Sequence, residues 1–376
     1  MNRVLLLAVL CLFSACDQPD DTPAVDPIPS LSEAFDGAFL IGAAMNADQF
    51  SGRDTAGSEL VQQQFNTITP ENVMKWGLIH PQPGQYAFGD ADRYVEFGEA
   101  NDMFIVGHTL IWHQQTPAWV FEDATGQPLT REALLERMED HIQTVVGRYK
   151  GRIDGWDVVN EALNDDGSMR ETPWFNIIGE DYLAQAFRFA QAADPEAELY
   201  YNDYTLENPA KRAGAVRLVQ SLLDQGVKVS GVGTQGHHLL DSNSPSILAQ
   251  AETIEDLAAL GVDVMITELD IAVLPRPFEY WGADISQSAE LQDELNPYTE
   301  GLPDSVQQAL AQRYADLFQI FHRYKDDISR VTFWGVSDGD SWLNGWPIAG
   351  RTSYPLLFDR QHQPKPAFDA VLGVAR

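Results

Sequence analysis

Along most of the chain, short runs of apolar residues alternate with longer stretches in which apolar residues recur at helical spacing. The runs are Phe39–Gly42, Thr67–Thr69, Phe104–His108, Asp157–Val159, Leu199–Asp203, Val232–His237, Val264–Thr267 and Val331–Trp334. Continuous apolar runs of this length suit strands buried on both faces, as in parallel sheets. Between them, Leu134, Leu135, Met138, Ile142, Val145 and Val146 keep the three- and four-residue spacing of one helix face over 134–149. The segments 210–225 and 306–324 read the same way. Eight strands alternating with helices predict an α/β fold of the (β/α)8, or TIM barrel, type.

The ends of these runs carry the chemistry. Glu71, His108, Glu161, Asp203, His237, Glu268 and Trp334 each fall at or just past the end of a run. In a parallel barrel those ends share one face, where active sites are built. The stretch Gly155-Trp156-Asp157-Val158-Val159-Asn160-Glu161-Ala162 is the clearest case: an apolar strand closing on an amide and a carboxylate. Alternation along a strand places Asp157, Val159 and Glu161 on one face. Glu268, ending Val264–Glu268, supplies a second carboxylate, and two strand-borne carboxyls are what glycoside hydrolysis requires. Taken singly, each glutamate is equally well read as a helix cap or an ion-pair partner. His237 and His238 are adjacent, hence on opposite strand faces, and do not suggest a shared metal site. No glycine-rich phosphate loop stands out.

Charge narrows the function further. With 24 Lys and Arg against 56 Asp and Glu the chain carries a formal charge of −32, which argues against nucleic acid as a partner. The N-terminus has its own pattern. Asn2-Arg3 precedes an apolar run, Val4–Phe13, too short to remain as a membrane span, and Ser14-Ala15-Cys16 follows. This resembles a bacterial lipobox, with Phe13 where Leu is usual. Residues 1–16 are therefore expected to be a lipoprotein-type signal, with Cys16 lipidated and the protein exported to the cell envelope on a membrane anchor. An ordinary secretory signal is the alternative. Cys11 and Cys16 are the only cysteines, so the rest of the chain holds no disulfide. Residues 17–33, acidic and proline-rich, read as a flexible tether, and 34–376 as the catalytic barrel.

Six short motifs, in order, resemble those of glycoside hydrolase family 10, the retaining endo-1,4-β-xylanases. They are Thr69-Pro70-Glu71-Asn72-Val73-Met74-Lys75-Trp76, Gly107-His108-Thr109-Leu110-Ile111-Trp112-His113, Trp156–Ala162, Tyr201-Asn202-Asp203-Tyr204, Gly233-Thr234-Gln235-Gly236-His237 and Ile266-Thr267-Glu268-Leu269-Asp270. The resemblance covers about residues 34–370. It implies a (β/α)8 barrel with Glu161 as general acid/base and Glu268 as nucleophile, their carboxyls about 5–5.5 Å apart. It further implies that Asn160 bonds the sugar 2-hydroxyl, that His237 holds the nucleophile and that Asp270 orients His237. Substrate-binding roles pass to Glu71, Asn72 and Lys75 on the glycone side, to His108, Trp112, Gln115 and Gln235 around the sugar at the cleavage point, to Trp334 and Trp342 as an aromatic roof, and to Tyr204 on the leaving-group side. The implied partner is xylan or xylo-oligosaccharide. No cofactor, metal or protein partner is implied.

Two other readings stay open: another retaining β-1,4-glycanase such as a glucanase, and a non-catalytic surface glycan-binding lipoprotein. Intact Glu161 and Glu268 argue against the second, since binding alone needs neither. The chain departs from the family at Thr205, where Asn is frequent, in an extra Trp346 near the roof, and in a long segment from Ala272 to Pro303.

Overall fold

A computed structural model describes residues 29–241, 245–276 and 284–375. Cys16, the expected signal segment and residues 17–28 of the expected tether lie outside the described residues, as do 277–283 of the long segment after Glu268. Strands β1 (Leu40–Met45), β2 (Thr67–Pro70), β3 (Phe104–Ile111), β4 (Gly155–Asn160), β5 (Glu198–Asp203) and β6 (Gly231–Thr234) pair in sequence. The short β7 (His237–Leu239), then β8 (Asp263–Ala272) and β9 (Ile328–Phe333), follow. All pairings are parallel, and β6 with β8 and β9 with β1 close the ring. The barrel therefore has eight staves, β1–β6, β8 and β9, as the alternating pattern predicts.

The expected sixth strand, Val232–His237, is broken in two. Gly236 adopts φ +81°, a left-handed conformation that costs glycine little. The chain turns there, and β7 pairs instead with Asp270–Ala272 of β8. Helices outside the barrel follow the predicted spacing closely. One spans Arg131–Arg148 and buries Leu134, Met138, Ile142, Val145 and Val146, with Thr130 capping its N-terminus by accepting from the Ala133 N–H. Others span Pro209–Asp224 and Asp304–Arg323. The folded body starts earlier than composition suggests. Ser30 and Glu33 form a reciprocal cap on a short helix, Leu31–Ala34, whose Leu31 is fully buried in the core. Among the described residues, no helix is long and apolar enough to cross a membrane.

Candidate active site

The C-terminal ends of the staves surround a cleft of about 630 Å³, counting its open mouth. On the β4 side, pairing with β5 slips between Asp157 and Val159. Glu161 then takes φ +58° while its N–H donates to the Asn202 carbonyl at 2.9 Å. Regular alternation would send Asn160 and Glu161 to opposite faces; the slip and the left-handed turn bring both onto the cleft wall. Glu161 is 3% exposed. Its Oε2 accepts from Trp112 Nε1 at 2.9 Å, and its Oε1 from Gln235 Nε2 at 3.0 Å and Asn160 Nδ2 at 3.3 Å. These donors are all neutral. Burial is the main influence and pushes the Glu161 carboxyl up to about 7, with the Asp203 and Glu268 charges adding to it against the hydrogen bonds from Gln235 and Trp112.

On the opposite wall Glu268 is as deeply buried, 5% exposed, yet its partners differ. Its Oε1 accepts from Asn202 Nδ2 at 2.7 Å, and its Oε2 lies 3.1 Å from His237 Nε2. His237 Nδ1 in turn lies 3.0 Å from Asp270 Oδ1, and Asp270 Oδ2 accepts from Trp342 Nε1 at 2.7 Å. Burial, the largest influence on Glu268, works to raise its pKa; the His237 hydrogen bond and the charges of His108, His237 and Lys75 outweigh it and hold the carboxyl below its ordinary value. Burial likewise disfavours the His237 cation, but Asp270 and Glu268 on its two nitrogens override this and raise it to about 10. His238, its neighbour, faces away and packs near Gln250, and burial lowers it to about 4.

Asn202 ties the two walls together. Its amide nitrogen donates both to Asn160 Oδ1 at 2.9 Å and to Glu268 Oε1, while its oxygen accepts from Thr267 Oγ1 at 2.6 Å. Gly233 makes room for this: a Cβ there would lie 2.4 Å from the Asn202 side-chain oxygen. Reasoning from sequence did not single out Asn202, although its flanking Tyr201–Tyr204 motif was the available signal.

The remaining expected residues fall mostly on the same cleft wall. Glu71, Asn72 and Lys75 line one end, where Lys75 Nζ donates to Asn72 Oδ1 at 3.0 Å and sits 5.0 Å over the Trp112 ring. Burial lowers the Lys75 ammonium, opposed by the Glu268, Glu71 and Glu161 carboxyls, and raises Glu71. His108 also lines the cleft, with its Nδ1 2.8 Å from Asp157 Oδ2, and Trp334 packs edge-on to it at 5.3 Å. Gln115, Gln235 and Trp342 complete the wall. Trp346 is buried behind Trp342, the two rings stacked at 4.6 Å, so it backs the roof and does not add to its surface. Asp270 lies behind His237, off the wall. Tyr204 is off the wall too: it is 5% exposed, its ring covers the Lys211 ammonium at 3.3 Å, and its hydroxyl accepts from Arg170 at 2.8 Å. Among the described residues, the His and Asp cluster with metal-like spacing, Asp54, Asp340 and His362, does not line the cleft.

Residues 30–374 match the sequence profile of glycosyl hydrolase family 10. The chain is 45% identical over 344 residues to endo-1,4-beta-xylanase A of Xylanibacter ruminicola, covering 92% of this chain and 93% of that protein. It is 41% identical over 367 residues to a beta-1,4-xylanase of Dictyoglomus thermophilum, covering 97% and 96%. The solved structure of a family 10 endoxylanase from a sugarcane soil metagenome superposes with a TM-score of 0.87 at 44% identity, covering 92% of this chain and 99% of that one. With a closed (β/α)8 barrel and two buried glutamates facing one cleft, the chain belongs to glycosyl hydrolase family 10 and is a glycoside hydrolase.

Proposed function

We propose that the protein is an endo-1,4-β-xylanase that cleaves internal xylosidic bonds with net retention, using Glu161 as acid/base and Glu268 as nucleophile. The observation that carries this is a pair of equally buried glutamates facing one cleft, Glu161 held by the neutral donors Trp112 and Gln235 and Glu268 by His237 backed by Asp270. In the first step a Glu268 oxygen attacks the anomeric carbon. The bond to the leaving oxygen breaks, and that oxygen takes the Glu161 proton. In the second step Glu161, now a carboxylate, takes a proton from water as the water oxygen attacks the same carbon and releases Glu268. Asn160, which accepts from Asn202 and donates to Glu161, bonds the sugar 2-hydroxyl in this reading, a contact that strengthens as positive charge develops on the ring. His237 stays cationic and keeps the nucleophile ionised.

Pentose selectivity follows from the packed cleft under Trp334 and Trp342, beside Glu71 and Lys75. A hydroxymethyl group, present in glucose and absent from xylose, must displace packed side chains. Such overpacking costs about 1–3 kcal/mol, or roughly tenfold to a hundredfold in rate. The test is to incubate the purified protein with xylan, cellulose and mannan, analyse products, and follow the first-formed anomer by NMR. Xylo-oligosaccharides of several lengths with the β-anomer first are expected. Equal rates on matched xylo- and cello-oligosaccharides overturn the substrate assignment, and an α-anomer first overturns the mechanism. The motif ending at Cys16 supports export as an acylated envelope protein, since two or more acyl chains anchor firmly. In the native host, Cys16→Ser is expected to leave the membrane fraction, and unchanged fractionation contradicts anchoring.

A further inference from the structure

The loop after β8 returns to the cleft at Asp284–Ser286. Asp284 Oδ1 accepts from Gln114 Nε2 at 2.9 Å, and from the Ser286 N–H and hydroxyl at 3.0 and 2.7 Å. Ile285, next in the chain, packs against Ala272, Leu343 and Trp346 and lines the cleft. Two residues on from Ser286, Ser288 is followed by Ala289, whose N–H donates to the Pro347 carbonyl at 2.9 Å, fixing the segment to the loop after β9. Gln114 belongs to the loop after β3. In the ring β1–β2–β3–β4–β5–β6–β8–β9, strands β3 and β8 stand four places apart in either direction, diametrically opposite. A direct side-chain bond between their loops therefore spans the barrel mouth. It passes beside the cleft itself, because Gln115 and Ile285, the neighbours of the two bonded residues, both line it. One half of the mouth, on β2, carries Glu71, Asn72 and Lys75; the other, on β4 and β6, carries Glu161 and Gln235.

On the reading of this cleft as a xylanase site, we infer that the Asp284–Gln114 bridge is a specificity determinant. A xylan chain running from the β2 half to the β4–β6 half passes the bridge where it borders the cleft. An unsubstituted chain segment of flat pentose rings threads there. A backbone carrying arabinose or glucuronate side groups meets the bridge and is cleaved more slowly. Burial works to raise the Asp284 carboxyl, and the Ser286 and Gln114 hydrogen bonds, with the charge of Arg170 from the loop after β4, outweigh it and hold the carboxyl below its ordinary value.

The test compares kcat/KM on unsubstituted xylotetraose and on soluble glucuronoarabinoxylan for the wild type, Asp284→Ala, Gln114→Ala, the double variant and Asp284→Asn. Loss of the bridge is expected to raise the ratio of substituted polymer to xylotetraose by about threefold to tenfold, the scale of one hydrogen bond. The double variant is expected to match Asp284→Ala, which already removes the one contact that Gln114→Ala removes. Asp284→Asn, which keeps an acceptor oxygen, is expected to hold the wild-type ratio. An unchanged ratio in the alanine variants, or an equal change on both substrates, overturns the inference. If the wild type leaves xylotetraose and xylan both intact, it is the xylanase reading that fails.

Discussion

The two walls of the cleft present the same residue type at the same depth with opposite results. Glu161 and Glu268 are 3% and 5% exposed, so burial urges both toward the neutral acid. Glu161 meets only neutral donors, an indole and two amides, and the burial penalty prevails. Glu268 meets His237, which Asp270 keeps cationic, and the penalty is overridden. Burial thus pushes both the same way, and the charges around each carboxyl, the hydrogen-bonding partner's among them, decide the outcome. The same lesson appears one residue apart in His237 and His238, raised to about 10 and lowered to about 4.

Removing either carboxyl tests the comparison most forcefully. Glu268→Ala is expected to lose retaining turnover on every substrate by about 10⁴-fold or more. Added azide is expected to occupy the vacated face and give a glycosyl azide of inverted configuration, detectable by NMR. Xylanase activity surviving without azide places the nucleophile elsewhere. Glu161→Ala is expected to depend on the leaving group. On xylan, whose leaving alkoxide needs the proton, the loss is about 10²–10⁴-fold. A dinitrophenyl glycoside is expected to give a burst of phenolate in stopped-flow absorbance and then slow turnover, because no base activates water. An equal slowing of burst and xylan cleavage contradicts the acid role.

The two carboxyls are legible in the sequence, but their polarity is not. Glu161 and Glu268 stand out in the sequence because a buried apolar strand rarely ends in a carboxylate, and the eight-strand alternation is carried by hydrophobic spacing alone. Their opposite protonation is not local information. It depends on Trp112 and Gln235 arriving from β3 and β6, and on the contact between His237 and Glu268, made possible where Gly236 breaks the expected sixth strand. Asn202 escaped notice because an amide within an aromatic strand reads as one more strand residue, while its role comes from three tertiary bonds. The bond between Gln114 and Asp284 joins residues 170 apart in sequence through a loop with no periodicity to read. Tyr204 sits in a motif that suggests sugar stacking, yet its ring is taken up by Lys211.

Smaller changes sharpen the contrast. His237→Gln removes the cation beside Glu268, so the Glu268 pKa rises and the acidic limb of the pH profile of kcat/KM moves to higher pH. The loss of one charge-assisted bond is expected to cost about 10–100-fold near neutral pH, with less at alkaline pH. A uniform loss across pH indicates structural damage instead. Trp112→Phe removes a donor from Glu161 and leaves Glu268 alone. The ionised form of Glu161 loses support, its pKa rises further, and the basic limb moves up by a few tenths to about one pH unit, with the acidic limb in place. A basic limb moving down contradicts the assigned sign.

The opposite proton affinities are read most directly by carbon-13 NMR of enzyme labelled at the glutamate side-chain carboxyls and titrated without substrate, with Glu161→Gln and Glu268→Gln providing the assignments. One resonance, lost in Glu161→Gln, is expected to titrate near pH 7. The other, lost in Glu268→Gln, is expected to remain that of a carboxylate to below the ordinary glutamate range. Both carboxyls titrating at the ordinary value, or Glu268 holding its proton to higher pH than Glu161, contradicts the division of roles between the two walls.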